Sequence, residues 1–161
     1  MRTAEQLIES FGMIPIPREG AWYAAGPRTT GLSSILVLLA STPQGFSALH
    51  RLDVDEGWQW LDGAPAALLQ LRPSGGRGRG KGSLTLLDHA TRQVLVPRSD
   101  WQGAATLGAW SLLACWCAPA FEEHHFTLGD GDALTREYPE YAAEIRLLSR
   151  PIPPPDGRHR R

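Results

Sequence analysis

Residues 45–63 read Gly45-Phe-Ser-Ala-Leu-His50-Arg-Leu-Asp-Val-Asp-Glu56-Gly-Trp58-Gln-Trp60-Leu-Asp-Gly63. In an extended chain, every second side chain lies on the same face of the strand. This alternation predicts one face around His50, before the polar turn at Asp53, and a second face that starts at Glu56. The predicted members are Phe46, Ala48, His50 and Leu52, then Glu56, Trp58 and Trp60. If both faces point inward, an imidazole and a carboxylate meet in a cavity walled by indole rings.

Short apolar runs recur on both sides of this segment, between residues 22 and 116. Glycine, proline, aspartate and serine separate them. Such close spacing is typical of an antiparallel sandwich or barrel and not of alternating strands and helices. We therefore predict an all-β protein. The five clearest predicted strands are 34–40, 67–71, 84–87, 93–96 and 110–115.

Two helices flank the predicted strands. Thr3 is followed three residues later by Gln6, the spacing of a capping box, and Gly12 is placed to end that helix. Near the C-terminus, residues 139–148 carry a proline in the first turn and an apolar stripe of helical period. The sequence thus predicts a short N-terminal helix and one C-terminal helix.

The 161 residues carry a formal net charge of −1. This balance gives no basis for nucleic acid or a membrane surface as the main partner, and the apolar run 35–40 is too short to span a bilayer. The length suits one domain, which we place at residues 1–149, followed by a flexible Pro/Arg-rich tail at 150–161. The Gly/Arg-rich stretch 72–82 is interpreted as a solvated loop between strands and not as an RNA-binding segment.

The chain contains only two cysteines, Cys115 and Cys117. Residues two apart on a strand share a face, but a disulfide between such near neighbours would strain the backbone. We predict reduced core thiols. The N-terminal residues lack the pattern of a secretion signal, so the expected localisation is cytoplasmic.

The spacing of His50, Glu56 and Gly63 resembles the first sequence motif of the cupin superfamily. A second stretch, from Val96 to Gln102, resembles the second cupin motif. Pro97 matches its proline, Ser99 stands at the glycine position, and Gln102 stands at the place of a histidine.

The likeness is closer to one branch, the uncharacterised fifth cupin type of small single-domain proteins, and it covers about residues 5–148. The matching residues are Ser47, His50, Arg51, Leu52, Asp55, Glu56, Trp58, Gly63, Val96, Pro97, Trp101, Cys115, Pro119 and Phe121. The resemblance implies an RmlC-like jelly roll, the cupin double-stranded β-helix. It also implies a homodimer and a small-molecule substrate or ligand, although the branch itself has no assigned activity.

The predicted pocket defines the candidate site. His50 and Glu56 are the candidate catalytic residues, and the substrate-binding candidates are Ser47, Trp58, Trp60, Trp101 and Gln102. Metal-binding cupins usually offer three histidines and a glutamate. Here Leu52 and Gln102 replace two of the histidines, so a divalent metal ion would have only His50, Glu56 and Gln102 as ligands, an incomplete set.

Three functions stay open at this level. We predict first a non-redox isomerase, epimerase, cyclase or lyase that uses the His50/Glu56 pair to move a proton. The alternatives are a metal-dependent oxygenase or decarboxylase, as in many cupins, and a barrel that binds a small ligand without catalysis. His50 could also be an ordinary core histidine that bonds a neighbour.

Overall fold

Two antiparallel sheets form the body of the protein in a computed structural model that describes residues 1–76 and 79–154. One sheet has the strand order β1-β2-β3-β10-β5-β8, and the other has the order β11-β4-β9-β6-β7. The strands are β1 Ile14–Pro15, β2 Trp22–Arg28, β3 Ser33–Ala40, β4 Ser47–Leu52, β5 Asp55–Gly63, β6 Ala66–Arg72, β7 Lys81–Leu87, β8 Gln93–Val96, β9 Trp101–Thr106, β10 Trp110–Ala118 and β11 Phe126–Leu128. The helices are α1 Ala4–Phe11, α2 Gly131–Glu137 and α3 Ala142–Leu148.

The main core lies between the sheets. Strand β10 shows how the sequence builds it: Leu113 and Cys115 point into this core, whereas Trp110 and Leu112 pack on the opposite face under α1. Strands from both sheets contribute fully buried leucines such as Leu39 and Leu68. The predicted all-β class is therefore confirmed, and all five predicted apolar runs lie in strands.

Helices cover the outer faces of both sheets. Helix α1 places Leu7 in the cluster on the first sheet, and its N-terminus has the predicted capping box between Thr3 and Gln6. Gly12 ends α1 in the left-handed conformation at φ 59°. On the second sheet, α2 and α3 bury Leu134 and Ile145 against the strands.

The C-terminal region differs from the prediction in two respects. A 3₁₀ turn at Pro139–Tyr141 precedes α3, so the α-helix itself begins only at Ala142. Helix α2 was not expected. Its N-cap is Asp130, whose side chain accepts hydrogen bonds from the amides of Asp132 and Ala133, although Asp-Gly pairs more often signal a turn.

The predicted tail begins within packed structure. Ile152 is partly buried against the helix-covered face of the second sheet, and the Arg150 guanidinium lies 3.7 Å from the centroid of Phe46. Residues 155–161 of the tail, and residues 77–78 of the Gly/Arg stretch between β6 and β7, lie outside the described residues. No helix in the described part of the chain combines the length and apolar character needed to cross a membrane.

Candidate functional site

A cavity of about 310 Å³ extends from the inter-sheet core to the surface. Its deep wall includes the buried residues His50, Glu56 and Trp58, and exposed residues such as Arg18 and Arg28 lie at its rim. The volume is at the lower end of the range for small-molecule sites, about 300–1,000 Å³. The predicted meeting of imidazole, carboxylate and indole in one hollow is thus present.

The His50 ring has a defined orientation and tautomer. Its Nδ1 lies 2.7 Å from the carbonyl oxygen of Ala48, and because a carbonyl only accepts, Nδ1 must carry a proton and donate it. Nε2, the other ring nitrogen, lies 3.9 Å from Oε2 of Glu56. The ring also stacks on Phe126, with 5.2 Å between centroids. Exchangeable proton chemistry is therefore confined to Nε2.

Glu56 is a buried carboxylate that the protein leaves partly unpaired. It stands near the start of β5, paired with Cys117 of β10 on one side and Val96 of β8 on the other. Its Oε2 is inaccessible to solvent and has no hydrogen-bond partner among the described residues. A buried carboxylate oxygen without a donor is costly.

The third member of the site is Glu19, which the sequence did not reveal. Its Oε1 accepts a hydrogen bond from the Ser47 hydroxyl at 2.7 Å and lies 3.9 Å from Nδ1 of His50. The imidazole therefore has a carboxylate on each side. Glu19 lies far from His50 in the sequence, and no motif or alternation pattern links the two.

The turn before β2 holds Glu19 in position. Its carbonyl accepts a hydrogen bond from the amide of Ala48 at 2.7 Å, which fastens the turn to β4. The next residue, Gly20, has φ +83°, and a Cβ there would lie 2.5 Å from the carbonyl oxygen of Phe46. Only glycine meets both conditions without strain.

Charges in the site favour a protonated His50. Burial alone would lower the pKa of this imidazole, but attraction by Glu19 and then by Glu56 outweighs burial and raises the pKa to about 9. Burial raises the pKa of the Glu19 carboxyl, and the nearby His50 opposes that rise. At neutral pH the site therefore holds an imidazolium between two acidic side chains.

A bulge in β4 changes one part of the predicted face. Pairing with β9 shifts by one residue between Ser47 and His50. As a result, Phe46 and Ala48 do not share the His50 face, and pack with Leu49 on the side covered by α2 and α3. The predicted alternation was wrong at these two residues because the extra residue of the bulge moves the side chains that precede it to the opposite face of the sheet.

Of the four predicted aromatic and amide candidates, only Trp58 lines the cavity. Its Nε1 donates to Oε1 of Gln102 at 2.7 Å, and Gln102 is buried behind it. Trp60 packs partly buried against the inter-sheet core, and its Nε1 donates to the carbonyl of Ala64. Trp101 lies on the opposite side of the second sheet, in the cluster under α2 and α3.

Ser47, another predicted substrate-binding residue, also does not line the cavity. It is fully buried and serves Glu19 through its hydroxyl. Ser99, at the glycine position of the second motif, has a glycine-like backbone with φ 72°. The motif geometry is therefore retained even though its residue type is not.

The residues do not fit a resident metal ion of the usual cupin kind. Gln102, the third predicted ligand, uses its amide oxygen for Trp58 and does not reach the cavity. Leu52, at the second histidine position, lines the cavity but has no side-chain atom that can bind a metal ion. In the part of the chain that the structure describes, no three His, Cys, Asp or Glu side chains are grouped to hold a metal. Both cysteines are free and line the cavity on the predicted common face, and burial raises both thiol pKa values.

A double antiparallel sheet with an imidazole–carboxylate pair in the hollow between its layers is the arrangement expected of a cupin-type protein. Residues 5–129 match the family described as "Cupin superfamily (DUF985)". The chain belongs to that family, and the predicted double-stranded β-helix is confirmed.

Solved structures share this architecture. A hypothetical protein from Leishmania major superposes with a TM-score of 0.79 at 23% identity, covering 93% of this chain and 100% of that one. A protein from Shewanella oneidensis gives 0.79 at 29% identity, covering 94% and 99%. Oxalate decarboxylase from Bacillus subtilis gives 0.52 at 11% identity, covering 89% of this chain and 41% of the enzyme, a likeness of fold alone. No curated protein matches the sequence.

Proposed function

We propose that this cupin is a small-molecule enzyme that transfers a proton without redox chemistry, as an isomerase, epimerase, cyclase or lyase. One observation supports this most directly: the buried Oε2 of Glu56 has no hydrogen-bond partner among the described residues and lies 3.9 Å from Nε2 of His50 on the cavity wall. An unpaired acceptor beside a charged donor is the arrangement that a general base and a general acid require.

The two side chains take different roles. The Glu56 carboxylate removes a proton from a carbon next to a substrate carbonyl, and the electron pair of the broken C–H bond moves into an enolate. The Nε2–H of His50 donates to the developing enolate oxygen. Return of the proton to the neighbouring carbon gives an isomer, and delivery of a proton to the opposite face of the same carbon gives an epimer. Departure of a leaving group with its bonding electrons from the adjacent carbon gives a lyase product.

Glu19 is a positioning residue in this scheme. Its carboxylate keeps the imidazole charged, and Ser47 holds the carboxylate in place. It acts through His50 and does not share the role of Glu56, because the two carboxylates lie beside opposite nitrogens of the imidazole ring.

The apolar walls favour the same chemistry. Trp58, Val37 and Phe126 line the cavity around the charged pair. Exclusion of water by such side chains strengthens electrostatic interactions inside the site. A substrate that displaces water from this hollow would therefore meet a strong acid–base pair.

Solvent exchange tests the proposal. Candidate carbonyl compounds are incubated with the protein in deuterium oxide, and loss of the proton next to the carbonyl is followed by NMR. His50→Ala and Glu56→Gln should each lower the exchange rate by about 10²–10⁴-fold. The matched controls are His89→Ala and Glu140→Gln, which alter exposed residues outside the cavity lining. Exchange at the parental rate in both site variants would refute the proposal. Saturable binding without any exchange would favour the non-catalytic ligand-binding alternative.

Two further expectations accompany this function. We propose a homodimer, which light scattering tests as a two-chain mass. We also propose that the protein is cytoplasmic. Its proposed partner is a small molecule and not nucleic acid. A fluorescent fusion tests the compartment, and an electrophoretic shift assay with RNA tests the partner.

A further inference from the structure

Arg28 is directed into the cavity by an irregularity in β2. Tyr23 and Ala25 line the cavity, as alternation along the strand requires. Between Ala25 and Arg28 the pairing with β3 shifts by one residue, and Arg28 lines the cavity instead of Pro27. Bulges of this kind re-aim a side chain, often beside functional sites.

The Arg28 guanidinium is held by backbone. Its Nη1 donates to the carbonyl of Phe121 at 2.7 Å, and the amide of Phe121 donates to the hydroxyl of Ser33 at 2.8 Å. The guanidinium is thus anchored to the rim at one nitrogen. Since arginine has five N–H donors, the others remain for a ligand.

The charge of Arg28 is also unmatched. The other rim arginine, Arg18, lies 3.6 Å from the carboxylate of Glu123. Among the described residues, no carboxylate lies within 4.0 Å of Arg28. Tyr23 and Ser34 also line the cavity. An oriented guanidinium without a carboxylate partner is suited to a carboxylate or a phosphate group.

We infer that the substrate carries an anionic group, a carboxylate or a phosphate, which binds to Arg28 at the rim while the reacting carbon lies against His50 and Glu56. The second half of this inference rests on the proposed function. The orientation follows from charge: at the deep end two acidic side chains flank the single imidazolium of His50, whereas Arg28 at the rim has no acidic partner and attracts an anion. The substrate therefore enters with its uncharged end first.

Paired probes test this inference on the whole protein. Benzoate and benzamide have nearly the same shape and differ in charge, and phenyl phosphate replaces the carboxylate by a phosphate. Dissociation constants are measured by ligand-observed NMR at low ionic strength. The parent should bind benzoate or phenyl phosphate about tenfold or more tightly than benzamide, the range expected for hydrogen bonds to a charged group. The tighter anion identifies the headgroup.

Arg28→Gln should remove this preference, and Arg28→Lys should retain part of it because the charge remains without the planar fork. Arg136→Gln, an exposed position on α2 outside the cavity lining, should keep the parental preference. Equal binding of benzoate and benzamide, absence of saturable anion binding to the parent, or an anion preference that survives in Arg28→Gln would overturn the inference.

The two proposals fail separately. If anions bind through Arg28 but no compound exchanges protons, the anion site stands and the proposed acid–base function falls. If exchange depends on His50 and Glu56 but charge at the rim has no effect on binding, the function stands and the anion site falls.

Discussion

Replacement of Glu19 by glutamine should lower the pKa of His50 by about three pH units. Coulomb's law gives about 4 kcal/mol for opposite unit charges separated by the 3.9 Å between Glu19 Oε1 and His50 Nδ1, at an effective dielectric constant of about 20. One pH unit corresponds to about 1.4 kcal/mol, which gives the expected change. From its value of about 9 in the parent, the pKa should fall below the ordinary range of a histidine, since burial then outweighs the remaining attraction by Glu56.

The variant changes charge with little change of shape. The glutamine carbonyl can still accept the hydrogen bond from Ser47. The titration is followed through the ring carbon-bound protons of His50 by NMR between pH 5 and 10, with His50→Ala used for assignment and Glu140→Gln as the surface control. If the His50 pKa in Glu19→Gln stays within about half a pH unit of the parent, the electrostatic role assigned to Glu19 is refuted.

Further predictions concern pH, metal binding and the turn. The folded-state pKa of His50 is raised from 6.5 to about 9. Its contribution to stability is therefore fully present below pH 6.5 and is lost as the pH rises towards 9. Urea unfolding should show a free energy of unfolding that falls over this window, and that falls less in His50→Ala. Leu52→His should create a three-ligand set with His50 and Glu56 and gain saturable Zn²⁺ binding by calorimetry, whereas the parent should show none. Gly20→Ala should lower the free energy of unfolding by about 1–3 kcal/mol, because its Cβ would clash with the Phe46 carbonyl; an unchanged urea midpoint would contradict this.

The sequence was informative where structure follows from local rules. Strand alternation placed His50 and Glu56 correctly on faces that line one cavity, since residue spacing alone decides which side of a strand a side chain occupies. The capping box at Thr3 could also be predicted from the sequence, because its hydrogen bonds join residues only three apart.

Contacts between residues far apart in the sequence could not be predicted from it. Glu19 reaches His50 through a left-handed turn that is fastened to β4. Gly20 is a signal for the turn, but no residue pattern indicates the contact between Glu19 and His50. The bulge in β4 likewise carries no residue pattern, so Phe46 was assigned to the wrong face. Trp101 was a candidate because of its motif position, yet its strand face points to the helices and not to the cavity.

The hydrogen bond between His50 Nδ1 and the Ala48 carbonyl limits the routes by which protons can reach and leave the imidazole. A carbonyl oxygen does not take up the ring proton, so the imidazole cannot pass protons from one nitrogen to the other towards Glu19. Every proton that leaves Nε2 must be replaced from the side facing Glu56, through the rim or from the substrate itself. Solvent deuterium therefore enters the reacting pair only through that opening.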